Sequence, residues 1–172
     1  QVVASVQTIA ETHLLPVLEQ LLAQFPFGIL GFHADNGSEY VNHTVARLLE
    51  KLRIEFTRSR PRHSNDNGLA ETKNGAVVRK IFGYAHIPQQ HARRFNTFCC
   101  EYLNPFLNFH RPCLFATEVA DPKKPGRIRR VYRPRDAMTP LDKLASLPNA
   151  AQFLRAGTTL ADLQALACAL TD

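Results

Sequence analysis

Between Gly31 and Lys80 the sequence places an acidic cluster at each end of one short stretch, and that arrangement constrains the fold more than anything else in the chain. At the front, Gly31-Phe32-His33-Ala34-Asp35-Asn36-Gly37-Ser38-Glu39-Tyr40 is an apolar run that stops at a carboxylate followed by Asn-Gly, the pattern of a strand ending in a tight turn. At the back, Ser64-Asn65-Asp66-Asn67-Gly68 is a polar, glycine-containing loop, and a helical pattern begins near Leu69. Glu71 then falls in a first helical turn.

A carboxylate at a strand end and another in a first helical turn can converge on one hard cation. Mg²⁺ takes oxygen ligands, keeps several waters, and is commonly held by one or two carboxylates together with substrate phosphate oxygens. Two such ions ~3.5–4 Å apart serve in-line displacement at a phosphodiester, and that arrangement needs a third carboxylate. Taken singly, the two features have plainer readings. Asp-Asn-Gly is a turn signal, and a Glu in a first helical turn is favoured by the helix dipole. Their combination and spacing carry the functional reading.

Asp35-Asn36-Gly37-Ser38-Glu39-Tyr40, then Thr57-Arg58-Ser59-Arg60-Pro61-Arg62-His63-Ser64-Asn65-Asp66-Asn67-Gly68, then Glu71 with Asn74 and Val77-Val78-Arg79-Lys80, resembles the catalytic core of the transposase and retroviral-integrase family in its bacterial insertion-sequence branch. Asp35 and Glu71 are separated by 35 residues, the spacing that family shows between its second Asp and its Glu. The resemblance covers about residues 1 to 115. It implies a ribonuclease-H-like α/β fold, Mg²⁺ or Mn²⁺ as cofactor (two ions in a complete parent), and DNA strand cleavage followed by strand transfer. Asp35 and Glu71 are the implied catalytic metal ligands. Arg58, Arg60, Arg62, His63, Lys73 and Asn74 are the implied substrate contacts.

The family's first catalytic Asp lies on the opening strand of its core, and residues 1 to 10 contain no acid. Gln1-Val2-Val3-Ala4-Ser5-Val6 resembles the family's third strand, so the chain is expected to be an N-terminally truncated core, catalytically incomplete alone and binding one metal weakly. Two other readings stay open. One is a non-catalytic DNA-binding or transposase-inhibiting interaction protein. The other is a simple hydrolytic nuclease, which cleaves without joining.

The net charge of +6 is concentrated. Lys123, Lys124, Arg127, Arg129, Arg130, Arg133 and Arg135 are seven bases in thirteen positions with no acid among them, and without them 14 bases stand against 15 acids. Such a segment is either a solvated linker or a phosphate-backbone contact, and beside the core motif DNA contact is the expected role. The expected partners are therefore transposon-end and target DNA, with self-association or pairing with a full-length transposase as a further possibility. With 45% hydrophobic residues and no apolar run near the ~20 needed to cross a bilayer, the expectation is a cytoplasmic globular protein without a membrane partner. Cys99, Cys100, Cys113 and Cys168 form no Cys-x-x-Cys pair and are expected to be reduced. His86, His91, Cys99 and Cys100 have the wrong order and spacing for the family's zinc module, and packing in a helix is their expected role.

In chain order, residues 1 to 7 alternate like a strand whose partners are absent, which would leave a sticky edge. Thr8-Ile9-Ala10-Glu11 fits a capping box opening a helix to about Gln24, with Leu14, Leu15, Leu18, Leu21 and Leu22 on its apolar face and Pro16 in an early turn. Ile29, Leu30 and Phe32 are expected as a buried strand, and His33 as an ordinary hydrogen-bonded histidine. Asn42 or Thr44 can cap a helix through Leu52 with Val45, Leu48, Leu49 and Leu52 on one face, followed by a short strand, Ile54 to Thr57. Helical spacing puts Glu71, Asn74 and Val78 on one face, with Val77, Ile81 and Phe82 as an apolar stripe and Gly83 as the stop. A helix over about Gln89 to Phe109 is interrupted at Pro105, and Asn108-Phe109-His110-Arg111-Pro112 resembles the family's core ending. A capped helix begins at Thr158-Thr159 with Leu160, Leu163, Leu166 and Leu170 as its stripe. The expected organisation is an integrase core over 1–115, an incomplete mixed sheet flanked by helices. A basic Pro-rich linker over 116–140 and a short helical tail over 141–172 follow it.

Overall fold

A computed structural model describes residues 1–8, 10–34, 43–60, 68–124 and 126–169; for Glu11, His43, Thr44, Leu69, Ala70 and Glu71 it describes the backbone alone. The fold is mixed α/β. Contacts divide the chain into two units, one of Val2–Cys99 and one of Gln1 with Cys100–Asp172.

In the first unit, α1 (Glu11–Ala23) buries Leu14, Leu18 and Leu22, one residue per turn, as the leucine spacing predicts. Its N-cap is Ala10 with no side-chain cap bond, so the expected Thr8 capping box does not form. Pro16 is tolerated in the second turn, where it forgoes one backbone bond. Strand β1 (Gly31–Ala34) leads towards α2 (His43–Lys51), whose Val45 and Leu49 are fully buried. Thr44 is the second residue of that helix and not its cap, and Asn42 lies outside the described residues.

A left-handed turn ends α2. Arg53 has φ +56°, its N–H donates to Glu50 O, and Ile54 N–H donates to Leu49 O, the paired bonds of a Schellman cap. That turn drops Ile54 into the core and leaves Leu52 47% exposed, contrary to its expected place on the buried face. Strand β2 (Glu55–Arg58) then pairs parallel with β1, Phe32 opposite Phe56 with ring centroids 6.0 Å apart. The core is Leu14, Leu18, Leu22, Val45, Leu49 and Ile54, lined by half-buried Val6, Leu15, Ile29, Phe32, Leu48 and Phe56. Each fully buried aliphatic side chain contributes about 1.5–3 kcal/mol. β1 is less buried than expected, because Leu30 just before it is 85% exposed and only Ala34 is fully covered.

Residues 1–6 form no strand. The Asn96 side chain serves the backbone of Ser5 instead, its Oδ1 accepting from Ser5 N–H at 2.7 Å and its Nδ2 donating to Ser5 O at 2.9 Å. An amide side chain carries one donor group and one acceptor in the geometry of a ladder partner, so the expected sticky edge is satisfied there without a sheet. Asn96 stands on α5 (Ala92–Phe98). That helix follows α3 (Gly68–Lys73), a widened π-helical turn over Asn74–Arg79, α4 (Lys80–Phe82), and a stop at Gly83 with φ +74°. Phe82 packs on Phe95 and Phe98 with centroids 4.4 and 6.1 Å away.

In the second unit, helical residues from Cys100 to His110 include widened turns that flank Pro105, the first of which (Cys99–Leu103) opens at the unit boundary and the second of which is Phe106–His110. Pro105 lacks an N–H and crowds the carbonyl a turn back, so the interruption expected there takes the form of a wider helix. Cys99 is buried and Cys100 exposed. Asn108 binds the backbone of Gln1 as Asn96 binds Ser5, with Nδ2 donating to Gln1 O and Oδ1 accepting from Gln1 N.

The segment expected as a linker is an antiparallel hairpin, β3 (Cys113–Ala120) and β4 (Ile128–Met138). Its register slips between Leu114 and Ala116, so that Arg133 to Asp136 bulge out of β4. Pro134, which has no N–H to give the ladder, sits in that bulge. Two helices follow, α6 (Pro140–Ala145) and α7 (Leu160–Ala169), each opened by a Thr-x-x-Asp capping box. Leu103, Leu107, Leu141, Ala150 and Leu163 are buried, whereas Leu166 is 55% exposed, outside its expected stripe. Among the described residues no helix is long and apolar enough to cross a membrane.

Candidate functional site at the strand ends

Because β1 and β2 run parallel and in register, their C-terminal ends meet at one edge, where parallel pairs commonly receive ligands. Ser59 N–H donates to Ala34 O at 3.0 Å, which carries the ladder one residue past β2. Asp35 is the next residue of the chain after Ala34 and lies outside the described residues. Arg58 and Arg60 flank buried Ser59 and are both exposed. Arg62 and His63 lie outside the described residues.

The His33 ring spans the two strands. Its Nδ1 is 2.9 Å from Thr57 Oγ1 and its Nε2 is 3.2 Å from Ser59 Oγ. The Ser59 hydroxyl also lies 3.4 Å from Ala34 O, so it links the His33 ring to the end of β1. Both ring nitrogens are thus engaged, which fits the expectation of a hydrogen-bonded histidine.

Helix α3 brings the second candidate carboxylate. Glu71 is its fourth residue, and its side chain lies outside the described atoms. Lys73 closes α3 and Asn74 opens the widened turn, and both are exposed. The widening turns Val77 inward, 2% exposed, while Val78 is half-buried. Short π-helical turns concentrate at functional positions, and this one directly follows the helix that bears Glu71. Arg79 at its end stacks on Tyr84, 5.6 Å from the ring centroid. Among the described residues, no three His, Cys, Asp or Glu side chains gather in a group that would hold a metal.

The seven bases of the basic segment belong to the other unit, on β4 and the turn before it. Arg130 faces Glu118 across the ladder at 3.5 Å, and Arg135 lies 3.9 Å from Asp136. Lys123, Lys124, Arg127 and Arg129 are exposed and have no carboxylate partner among the described residues. Charge counting along the sequence found these bases; the hairpin that carries them has a fainter signal, the alternation around Val131 and Arg133 masked by the surrounding charge.

No family model matches the chain. A protein of Sinorhizobium fredii (strain NBRC 101917 / NGR234), described as "Uncharacterized protein y4rM", is 37% identical over 73 residues. The match covers 42% of this chain and 21% of that protein, so the chain corresponds to about a fifth of the relative's length.

Proposed function

We propose that the chain is an integrase-type core of an insertion-sequence transposase, ribonuclease-H-like in fold and acting on DNA phosphodiesters. One observation carries the reading. The in-register parallel pair β1–β2 brings the residue before Asp35 and the Arg58–Arg60 segment to a single edge, and the next described helix bears Glu71. Two carboxylates are hard oxygen donors, a set suited to Mg²⁺ or Mn²⁺. In this reading Asp35 and Glu71 would hold the ion, which would supply activation of the attacking oxygen and neutralisation of phosphate charge.

The chain's other residues bind and orient. Arg58 and Arg60, with Arg62, His63, Lys73 and Asn74, engage the DNA backbone, the two exposed arginines at the end of β2 supplying fixed positive charge beside the reacting phosphate. His33 orders the edge by tying β1 to Thr57 and Ser59. The partners are transposon-end and target DNA in the cytoplasm, with further copies of the chain or a full-length transposase completing the assembly.

The exposed basic hairpin favours one second reading, a DNA-binding protein without catalysis. Incubation with Mn²⁺ and supercoiled plasmid separates the readings. Nicking and joined product, both lost in Asp35→Asn, fit the transposase core, and cleavage without joining fits simple hydrolysis. DNA binding with no Mn²⁺-dependent product in a folded chain fits the non-catalytic reading.

A further inference from the structure

Hairpin β3–β4 has a surface that packing within its own unit does not explain. Ala116 faces Tyr132, Glu118 faces Arg130 and Ala120 faces Ile128, so these six residues share one side of the ribbon. That side is open, with Tyr132 59% and Ile128 64% exposed. A two-stranded ribbon by itself is marginal in water, and solvent-facing apolar side chains set among charges mark a surface that a partner covers.

The turn end of the ribbon is pre-organised and basic. Asp121 N–H donates to Arg127 O at 2.8 Å, Arg127 N–H donates to Lys124 O at 3.1 Å, and Gly126 takes φ +81°. The Asp121 carboxylate accepts from Lys123 N–H at 2.9 Å, so the acid nearest the tip is engaged in shaping the turn. Lys123, Lys124, Arg127 and Arg129 stand exposed about this turn with no carboxylate partner among the described residues. Four unneutralised cations at one end of a ribbon are complementary to a polyanion with regularly spaced charge. The major groove of B-form DNA is ≈ 12 Å wide and admits a two-stranded ribbon between two phosphate rows.

We propose that β3–β4 is a DNA-binding ribbon whose turn end enters the major groove, with Lys123, Lys124, Arg127 and Arg129 gripping the phosphates of its walls. The proposal rests on the DNA-acting reading above, and it adds a second DNA surface apart from the edge at Asp35. It also divides the seven bases: Lys123, Lys124, Arg127 and Arg129 at the turn end contact phosphate, Arg130 and Arg135 are balanced by Glu118 and Asp136 on the ribbon itself, and Arg133 is half-buried in the bulge.

The test is fluorescence anisotropy of the full chain on a labelled DNA duplex over a range of salt concentrations, with an RNA duplex of the same sequence in parallel. Replacing all four tip bases with Ala should reduce the slope of log affinity against log salt by about 3 to 4, because each phosphate contact contributes about 0.9. A variant with Lys123→Arg, Lys124→Arg, Arg127→Lys and Arg129→Lys should keep the slope, which separates charge from misfolding. The RNA duplex, whose major groove is too narrow for the ribbon, should bind more weakly. An unchanged slope in the alanine variant, with binding lost instead in Arg58→Ala/Arg60→Ala, overturns the ribbon and leaves the transposase reading standing. Equal affinity for DNA and RNA duplexes overturns groove entry. Absence of DNA binding by the unaltered chain overturns both.

Discussion

His33 Nε2 lies 3.2 Å from Ser59 Oγ, and the same serine returns both its hydroxyl and its N–H to Ala34 O, so one buried residue ties together the two strand ends that precede Asp35 and follow Arg58. Replacing Ser59 with Ala removes the buried hydroxyl that bonds His33 and Ala34 O, while the exposed His33 ring can turn to water. The expected cost is about 0.5–1.5 kcal/mol in urea unfolding, the net worth of a hydrogen bond. A Ser59→Thr variant, which restores a hydroxyl, should recover most of it. Equal stability of Ser59→Ala and the unaltered chain would contradict the network.

Asn96 does for Ser5 what a neighbouring strand does elsewhere, offering acceptor and donor to one residue's backbone. Asn96→Ala is expected to lower stability by about 1–3 kcal/mol and to raise proteolytic cleavage within residues 1–6, because two backbone groups lose their partners together. Asn96→Asp keeps the acceptor for Ser5 N–H and loses the donor to Ser5 O, so it should fall between. Limited proteolysis of the three proteins at matched concentration gives the ranking.

Arg53 holds φ +56° at the end of α2, a conformation costing a non-glycine residue about 1–2 kcal/mol. Glycine relieves that strain and gives back about 0.5–1 kcal/mol in unfolded-state entropy. Arg53→Gly should therefore stabilise the protein by about 0.5–1 kcal/mol, read as a higher thermal midpoint. Arg53→Val should lower it.

Asp162 accepts from the Thr159 hydroxyl at 2.7 Å and the Thr159 N–H at 2.8 Å, and these bonds hold its carboxyl below the ordinary carboxylate range. A lowered value in the folded state means that the bond's contribution is present above the usual carboxylate range and is lost as pH falls through the lowered value. Helix α7 should therefore loosen on acidification. In Thr159→Val that pH dependence should be reduced, with hydrogen exchange across 160–169 as the measurement.

Much of the first unit was legible because its signals are local. Leucines one turn apart marked α1, Val45 and Leu49 marked α2, and Gly83 marked the end of the helical run after Gly68. The misses have physical causes of their own. Residues 1–7 have the alternation of a strand, but a pattern does not say whether another strand or the amides of Asn96 and Asn108 will satisfy the backbone. The basic segment reads as a linker because five prolines and eight bases over 122–148 obscure the alternation of β4, and its bulge hides the register. Leu52 and Leu166 show that an apolar residue at helical spacing is buried only where something covers it. At the candidate site, Asp35 lies outside the described residues and Glu71 is described by its backbone alone, while the His33–Thr57–Ser59 network required coordinates, since nothing in the spacing of those three residues announces it.

The central claim is that Asp35 and Glu71 share one hard cation, and Mn²⁺ binding followed by electron paramagnetic resonance tests it most directly. With a short DNA duplex present to supply phosphate oxygens, the chain should bind Mn²⁺ at a single weak site that disappears in Asp35→Asn and, separately, in Glu71→Gln. Bound Mn²⁺ that persists in both variants at the level of the unaltered chain would contradict the account.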